Sequence, residues 1–218
     1  MLFSVTTIVR LCGIAGILGA LITGGGDLLY HYVPGSQQPP AERMAGLPQA
    51  RLVAAGVLGL LGSWLYLLSV FHIYFAFLPV GSSFAISVSI TFALVAVAYG
   101  VGHASYYAIG SGAKLARANG LDIVAAAQSG GALFSRIVMI TYIPVAIASL
   151  LMLYGILSGR SSYPRWLVLF LPIVPYLLRT PILKIVGGSA REILRDSYDN
   201  FVFLVFFLVS TIVLWNLG

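Results

Sequence analysis

Six long apolar stretches constrain what this chain can fold into. They fall at about residues 4–32, 52–80, 83–110, 131–157, 166–186 and 201–217. An α-helix needs ~20 residues to cross the ~30 Å hydrocarbon core of a bilayer, and each stretch is near or above that length. The stretches therefore predict an all-α fold, a polytopic bundle of six transmembrane helices that forms a single integral membrane domain over residues 1–218.

The composition agrees with a membrane protein and excludes several other classes. Hydrophobic residues make up 60% of the chain and charged residues only 8%, whereas a soluble domain has about 25% charged residues. The net charge of +6 is not organised into a basic patch interleaved with aromatics, so membrane lipids rather than nucleic acid are the expected partners. Cys12 is the single cysteine, which excludes an internal disulfide and a thiolate metal cluster.

The distribution of Lys and Arg predicts the orientation, because these residues are enriched in cytoplasmic loops. Three of the twelve, Arg10, Arg160 and Arg165, fall on one side of the predicted bundle. The other nine lie in or beside the first, third and fifth connections: Arg43, Arg51, Lys114, Arg117, Arg136, Arg179, Lys184, Arg191 and Arg195. This asymmetry predicts a multi-pass protein of the bacterial inner membrane with both termini outside.

Two ionisable side chains interrupt the first apolar stretch. Asp27 and His31 follow three glycines, and a charge at the bilayer centre costs about 2.5–3.5 kcal/mol, so residues of this kind are site hypotheses by default. Tyr30 lies three residues after Asp27, and His31 four, so all three share one helix face. In the third stretch Tyr99, His103 and Tyr106 share a face by the same spacing.

The direction of each predicted helix brings further groups to the same depth. The first and third helices both run inward, which places Asp27 and His31 level with His103. Arg136 near the start of the fourth helix and Arg179 near the end of the fifth reach the same zone. The stretch that carries Arg179 also contains Pro172, Pro175 and Pro181, which remove backbone donors and favour a bend.

Three kinds of chemistry fit the set Asp27, His31 and His103. As catalytic residues, the carboxylate would orient an imidazole as a general base. As metal ligands, imidazole and carboxylate suit a divalent ion such as zinc, with a water in the open position. As structural residues, they would join the first and third helices by hydrogen bonds.

The surrounding predicted residues suit an amphipathic ligand. Tyr30, Tyr99 and Tyr106 offer flat apolar area with a polar tip, as in small-molecule pockets. Arg136 and Arg179 could clamp a phosphate or carboxylate, or neutralise Asp27.

Other patterns are more typical of structure. His72 is interpreted as a neutral histidine bonded to a neighbouring helix, with a role in a proton relay as the alternative. The segment from Arg191 to Asp199 predicts intrahelical salt bridges, and its two aspartates match only half of a magnesium motif. A stripe of small residues lets another helix approach closely and predicts that the first helix is central: Cys12, Gly16, Ala20 and Gly24.

Two dipeptides show a local likeness to known membrane enzymes. Gly26-Asp27 and Gly102-His103, with tyrosines nearby, resemble short segments of lysoplasmalogenase-type membrane hydrolases, while the spacing and the number of spans differ. No histidine follows His103, so the late His-x-x-x-His pair of alkaline ceramidase and adiponectin-receptor type hydrolases is missing. These segments identify no family.

The sequence as a whole predicts a polar intramembrane cavity near the cytoplasmic leaflet. Such a cavity would bind a lipid or an amphipathic small molecule, and an enzyme of this kind would hydrolyse or modify it. The alternatives are a small-solute carrier and an accessory subunit of a larger membrane complex, which would associate with another membrane protein or with a second copy. A carrier predicts a continuous polar path from His72 to His103.

Overall fold

A computed structural model describes residues 4–36 and 38–215, and all regular structure within these ranges is helical. Two short 3₁₀ helices, Leu78–Val80 and Arg165–Phe170, lie between α-helices. The α-helices in chain order are α1 Val5–His31, α2 Pro40–Gly46, α3 Gln49–Phe77, α4 Ser82–Ala118, α5 Ile123–Leu157, α6 Ile173–Leu177, α7 Arg179–Ile185, α8 Gly188–Asp196 and α9 Tyr198–Leu214.

Four of these helices, α1, α3, α4 and α5, are long and apolar enough to cross a membrane. Helices α8 and α9 together would make a fifth span, bent by 89°. The all-helical, multi-pass architecture predicted from the sequence is therefore present, but the count of six transmembrane helices is not confirmed.

The predicted fifth span, 166–186, is not a continuous helix. A 3₁₀ helix, α6 and α7 follow one another through this stretch, because Pro172, Pro175 and Pro181 each lack a backbone N–H and disturb the preceding turn. Ser162 N–H donates to the carbonyl of Ala76 at 2.9 Å, near the end of α3. Downstream, α8 contacts α1, so this broken segment connects the two ends of the bundle.

The third and fourth predicted spans are longer than expected, and the glycines at 110–112 do not end a helix. Helix α4 continues to Ala118, and a Cβ at Gly110 would lie 2.6 Å from Met44 Cε, so this glycine admits a side chain of α2. The turn comes at Gly120, whose φ is +65°. Asp122 then caps α5, its Oδ1 accepting from Val124 N–H at 2.8 Å.

Helix α1 lies between α3 and α9, and the neighbour order is α9, α1, α3, α4, α5. Small residues allow this close packing, as the stripe in the first apolar stretch predicts. A Cβ at Gly19 would lie 3.0 Å from the carbonyl oxygen of Gly62, and one at Gly16 would overlap the Phe207 ring. Helix α1 is therefore central in the bundle.

Arg51 caps the C-terminal end of α1. Its Nε donates to the carbonyl of Leu29 at 2.7 Å, and its Nη2 donates to the carbonyls of Leu28 at 3.1 Å and Tyr32 at 2.5 Å. The last carbonyls of a helix have no partner within the helix. One guanidinium from α3 supplies donors for the carbonyls of Leu29 and Tyr32, and a second donor for that of Leu28, which also accepts from Tyr32 N–H. This fixes the end of α1 that carries Asp27 against the start of α3.

Replacing Arg51 by glutamine should lower the free energy of unfolding by about 1–3 kcal/mol, because partly buried carbonyls lose their donors. Reversible unfolding in detergent, followed by circular dichroism, measures the change. Arg136→Gln removes the same charge from an exposed position and should change stability by less than about 0.5 kcal/mol. Equal losses in the two variants would contradict the capping role.

Candidate functional site

A chain of polar side chains crosses four helices near the C-terminal end of α1. Asp27 Oδ1 lies 3.3 Å from His103 Nε2, and Asn200 Nδ2 donates to Asp27 Oδ2 at 2.7 Å. The Tyr66 hydroxyl donates to Asn200 Oδ1 at 2.9 Å. This set, Tyr66, Asn200, Asp27 and His103, is called the polar chain below, and it joins α3, α9, α1 and α4.

Glycines create the space that the His103 imidazole occupies. A Cβ at Gly59 of α3 would overlap the His103 side chain, and a Cβ at Gly26 of α1 would lie 3.3 Å from His103 Cε1 and 2.9 Å from the Ala55 carbonyl oxygen. The imidazole therefore reaches Asp27 across a surface that has no side chain. Gly26 in the run before Asp27 thus has a specific role, whereas Gly25 faces open space.

The Asp27 carboxylate is held at both of its oxygens. His103 and Asn200 both orient the carboxylate, one at each oxygen, and the Asp27 side chain retains 23% exposure. His103 Nδ1 is buried and has no hydrogen-bond partner among the described residues. Asp27, His103 and Asn200 of the polar chain all line the cavity described below.

Tyr30, His31 and Tyr106 form an aromatic group beside the polar chain. The Tyr30 hydroxyl donates to the His103 carbonyl at 3.0 Å. The His31 and Tyr106 rings lie 4.8 Å apart between centroids, with 3.5 Å between the Tyr106 hydroxyl and His31 Nδ1. The Asp27, Tyr30 and His31 side chains thus face one region, as their helical spacing indicates.

A cavity of about 620 Å³ lies beside the polar chain. It is lined by Asp27, Tyr30, His31, Tyr99, His103, Tyr106 and Arg179, which are seven of the eight residues proposed from the sequence. Arg136 does not line it and is exposed. It follows Phe134 by two residues on α5 and so points to another side of that helix.

The cavity has two unlike walls. Helix α5 supplies a mainly apolar wall that repeats with helical spacing: Phe134, Ile137, Val138, Thr141, Tyr142 and Val145. The opposite side carries charged and amide groups from α1, α2, α8 and α9: Asp27, Arg43, Arg195, Asp196, Asp199 and Asn200. A cavity of this kind presents an apolar surface and hydrogen-bonding groups to the same ligand.

The segment from Arg191 to Asp199 makes a connection between helices that the sequence did not predict. Arg195 Nε contacts Asp196 Oδ1 at 2.9 Å, but Asp196 Oδ2 also lies 3.8 Å from Arg43 Nη1 of α2. Arg43 Nη1 in turn donates to the His31 carbonyl at 2.9 Å. Asp196 therefore ties α8 to α2 at the edge of the cavity.

Asn200 is the central residue that sequence reasoning missed. It is 2% exposed and holds both Asp27 and Tyr66. The predicted sixth span began at residue 201, which left Asn200 in a loop, whereas α9 begins at Tyr198. A polar residue at the edge of an apolar run, level with Asp27 by helix direction, is the signal that could have identified it.

The proposed metal set does not form in this structure. Within residues 4–36 and 38–215, no group of three His, Cys, Asp or Glu side chains is arranged to hold a metal ion. Asp27 and His103 are adjacent, but His31 lies beside Tyr106. The zinc site hypothesised from Asp27, His31 and His103 therefore has no geometric support.

A second polar cluster lies at the opposite end of the bundle. His72 is fully buried, with Nδ1 2.9 Å from the Val9 carbonyl oxygen and Nε2 2.5 Å from Ser210 Oγ. The Tyr163 hydroxyl lies 2.7 Å from the same Ser210 Oγ, and burial raises the pKa of Tyr163, so its hydroxyl stays protonated. These contacts join α1, α3, α9 and the loop after α5, as the structural interpretation of His72 expects.

Aromatic rings separate the two polar clusters. Phe203 and Phe207 lie between Asn200 and Ser210 along α9, and Phe92 of α4 packs against them at 5.9 and 5.7 Å between centroids. Phe207 also lies 6.4 Å from the His72 ring. The polar path from His72 to His103 that a carrier would need is therefore interrupted.

The fold and the site together define an all-helical, multi-pass membrane protein with a polar cavity at one end of its bundle. The chain belongs to a family of unknown function, DUF6796, whose model matches residues 4–216. Searches of curated proteins and of solved structures found no match.

Proposed function

We propose that the cavity binds an amphipathic small molecule, a membrane lipid or a compound built like one. The observation that carries this proposal is the pairing of a mainly apolar α5 wall with a charged wall across a cavity of about 620 Å³. Binding sites for small molecules have volumes of about 300–1,000 Å³ and combine apolar lining with a few polar groups. The apolar part of the ligand would pack on α5 and its polar end would face Asp27.

The position of basic residues supports binding from the cytoplasmic leaflet. Arg43, Arg51, Lys114 and Arg117 belong to the end of the bundle that holds the cavity. Such residues concentrate on the cytoplasmic side of membrane proteins. The ligand would therefore come from the inner leaflet or from the cytoplasm.

Filling the cavity should abolish binding. Gly102 lines the cavity, and a Cβ there would meet only Phe134 Cε2, at 3.9 Å, so Gly102→Leu should fold and project its side chain into the space. Native mass spectrometry of protein extracted with its own lipids should show a bound molecule in the wild type. The occupied fraction should fall at least tenfold in Gly102→Leu.

Gly25→Leu is the matched control, since a Cβ at Gly25 has no neighbour within 4 Å and Gly25 does not line the cavity. It should retain the bound molecule at the wild-type level. Equal occupancy in all three proteins, or no retained molecule in any of them, would contradict the proposal.

The same geometry supports a second candidate function, hydrolysis of the bound molecule. Asp27 is oriented at both oxygens, by His103 and by Asn200, and can accept a proton from a water that attacks an ester or amide of the ligand. The water oxygen would form a bond to the acyl carbon, the C–O or C–N bond to the leaving group would break, and the leaving group would take up the proton that Asp27 accepted, so no redox partner is needed.

Asp27→Asn tests this candidate by the identity of the retained molecule. If the protein is a hydrolase, the variant should retain an intact ester or amide, whereas the wild type should retain a cleaved product or none. Identical molecules in the wild type and in Asp27→Asn would exclude hydrolysis while leaving the binding proposal in place.

A further inference from the structure

The cavity is lined by equal numbers of acidic and basic side chains, but these do not all form ion pairs with one another. The lining contains three carboxylates and three guanidiniums: Asp27, Asp196, Asp199, Arg43, Arg179 and Arg195. Asp196 takes two of the arginines, Arg195 at 2.9 Å and Arg43 at 3.8 Å. The third, Arg179, lies over the Tyr198 ring at 5.1 Å from its centroid, a cation–π contact within the protein.

Asp199 is the lining carboxylate that forms no ion pair among the described residues, although Arg179 and the Tyr176 hydroxyl lie near it. In the part of the chain that the structure describes, no Lys, Arg or His nitrogen lies within ion-pair distance of it. Its Oδ1 is buried and accepts no hydrogen bond from any described residue. A buried carboxylate oxygen without a hydrogen bond is costly, so a cation that entered the cavity would be stabilised beside it.

Four tyrosines line the same cavity as Asp199: Tyr99, Tyr142, Tyr176 and Tyr198. Tyr99 and Tyr176 approach each other to 3.3 Å between their hydroxyls, and the Tyr176 and Tyr198 rings lie 6.5 Å apart between centroids. Tyr142 lines the cavity from α5. Aromatic faces attract organic cations, and several around one carboxylate form the usual surroundings of a bound ammonium group.

We propose that the polar end of the ligand is an ammonium group that binds between Asp199 and these tyrosines. This inference rests on the proposed binding function and specifies its ligand as an amine-bearing amphiphile. The Asp199 carboxylate would balance the positive charge of the ammonium group, and the faces of the tyrosine rings would contact it. Arg43 and Arg195 contact Asp196, and Arg179 lies over the Tyr198 ring, so a comparison of amine and carboxylate probes decides which charge the cavity selects.

Three probes of equal chain length separate an amine from other polar ends: octylamine, octanol and octanoate. Isothermal titration of the purified full-length protein in dodecyl maltoside gives the affinity of each. The amine should bind at least tenfold more tightly than octanol and octanoate. Asp199→Asn should remove that advantage and leave the affinity for octanol unchanged. Glu192→Gln, a carboxylate outside the cavity, should behave as the wild type.

The titrations also separate failure of this inference from failure of the proposed function. If Gly102→Leu abolishes binding of the probes but the wild type does not prefer the amine, or binds octanoate most tightly, the ammonium proposal alone is overturned. An amine preference that persists in Asp199→Asn would also overturn it. If Gly102→Leu leaves the binding of every probe unchanged, or if none binds, both proposals fail.

Discussion

Replacing Gly59 by alanine is expected to separate His103 from Asp27 and to lower the free energy of unfolding by about 2–3 kcal/mol, the cost of overpacking a filled interior. The added methyl group would overlap the His103 ring, and the imidazole has little room to retreat, because it also packs closely on Gly26 of α1. Reversible unfolding in detergent measures the loss. The fraction of protein that retains a ligand should fall with it.

Gly25→Ala is the control for this prediction, because the added methyl group has no neighbour within 4 Å. In a helix, alanine is more favourable than glycine by roughly 0.5–1 kcal/mol, so this variant should be equally or more stable than the wild type. His103→Gly should also reduce the cost of Gly59→Ala, since both the ring and the Cβ that the methyl group would overlap are then gone. A Gly59→Ala protein as stable as Gly25→Ala would show that the imidazole does not sit on Gly59.

Asn200→Leu is the second change with a large expected effect, a loss of about 3–4 kcal/mol in the free energy of unfolding. Leucine has a similar volume but leaves the Asp27 carboxylate without its amide donor and the Tyr66 hydroxyl without its acceptor. Removing one member of a buried network leaves the desolvation cost of the others uncompensated. The midpoint and free energy of unfolding in detergent measure this loss.

Asn119→Leu is the matched control for Asn200, because Asn119 is exposed and bonds only within its own helix end. It should cost less than about 1 kcal/mol. The double variant Asp27→Leu, Asn200→Leu should lose less free energy of unfolding than the sum of the losses of the two single variants. In the double variant neither Asp27 nor Asn200 remains as a buried polar group without its partner. Strictly additive losses would contradict a shared network.

The depth of the site was predictable because helix direction and hydropathy determine it. Asp27, His31 and His103 lie in different apolar stretches, yet the alternation of helix direction alone brings them to one level, and the structure brings all three to one cavity. Arg179 also lines the cavity, although the segment that carries it is not the continuous span from which its depth was predicted. Their proximity needed no knowledge of which helices are neighbours in the bundle.

The remaining parts of the site depend on packing, which the sequence pattern does not show. Nothing in the sequence distinguishes Gly59 from other glycines of the apolar stretches, because its role depends on contact with His103 of another helix. Arg136 has the right depth but lies on another side of α5, so depth without rotation gave a wrong prediction. The broken course of residues 165–185 was indicated by its prolines, but the number of spans was counted from hydropathy alone.

Site-resolved photolabelling tests the central claim, that the cavity binds an amphiphile, most directly. An octyl amphiphile with a diazirine on its chain would be cross-linked to the full-length protein in detergent, and labelled peptides of α5 would be resolved by mass spectrometry. We expect labels on Ile137, Val138 and Thr141, which line the cavity, and their loss in Gly102→Leu. Labels concentrated on Met139, Ile140 and Ile143, which are 60–67% exposed, and unchanged in Gly102→Leu, would contradict the account.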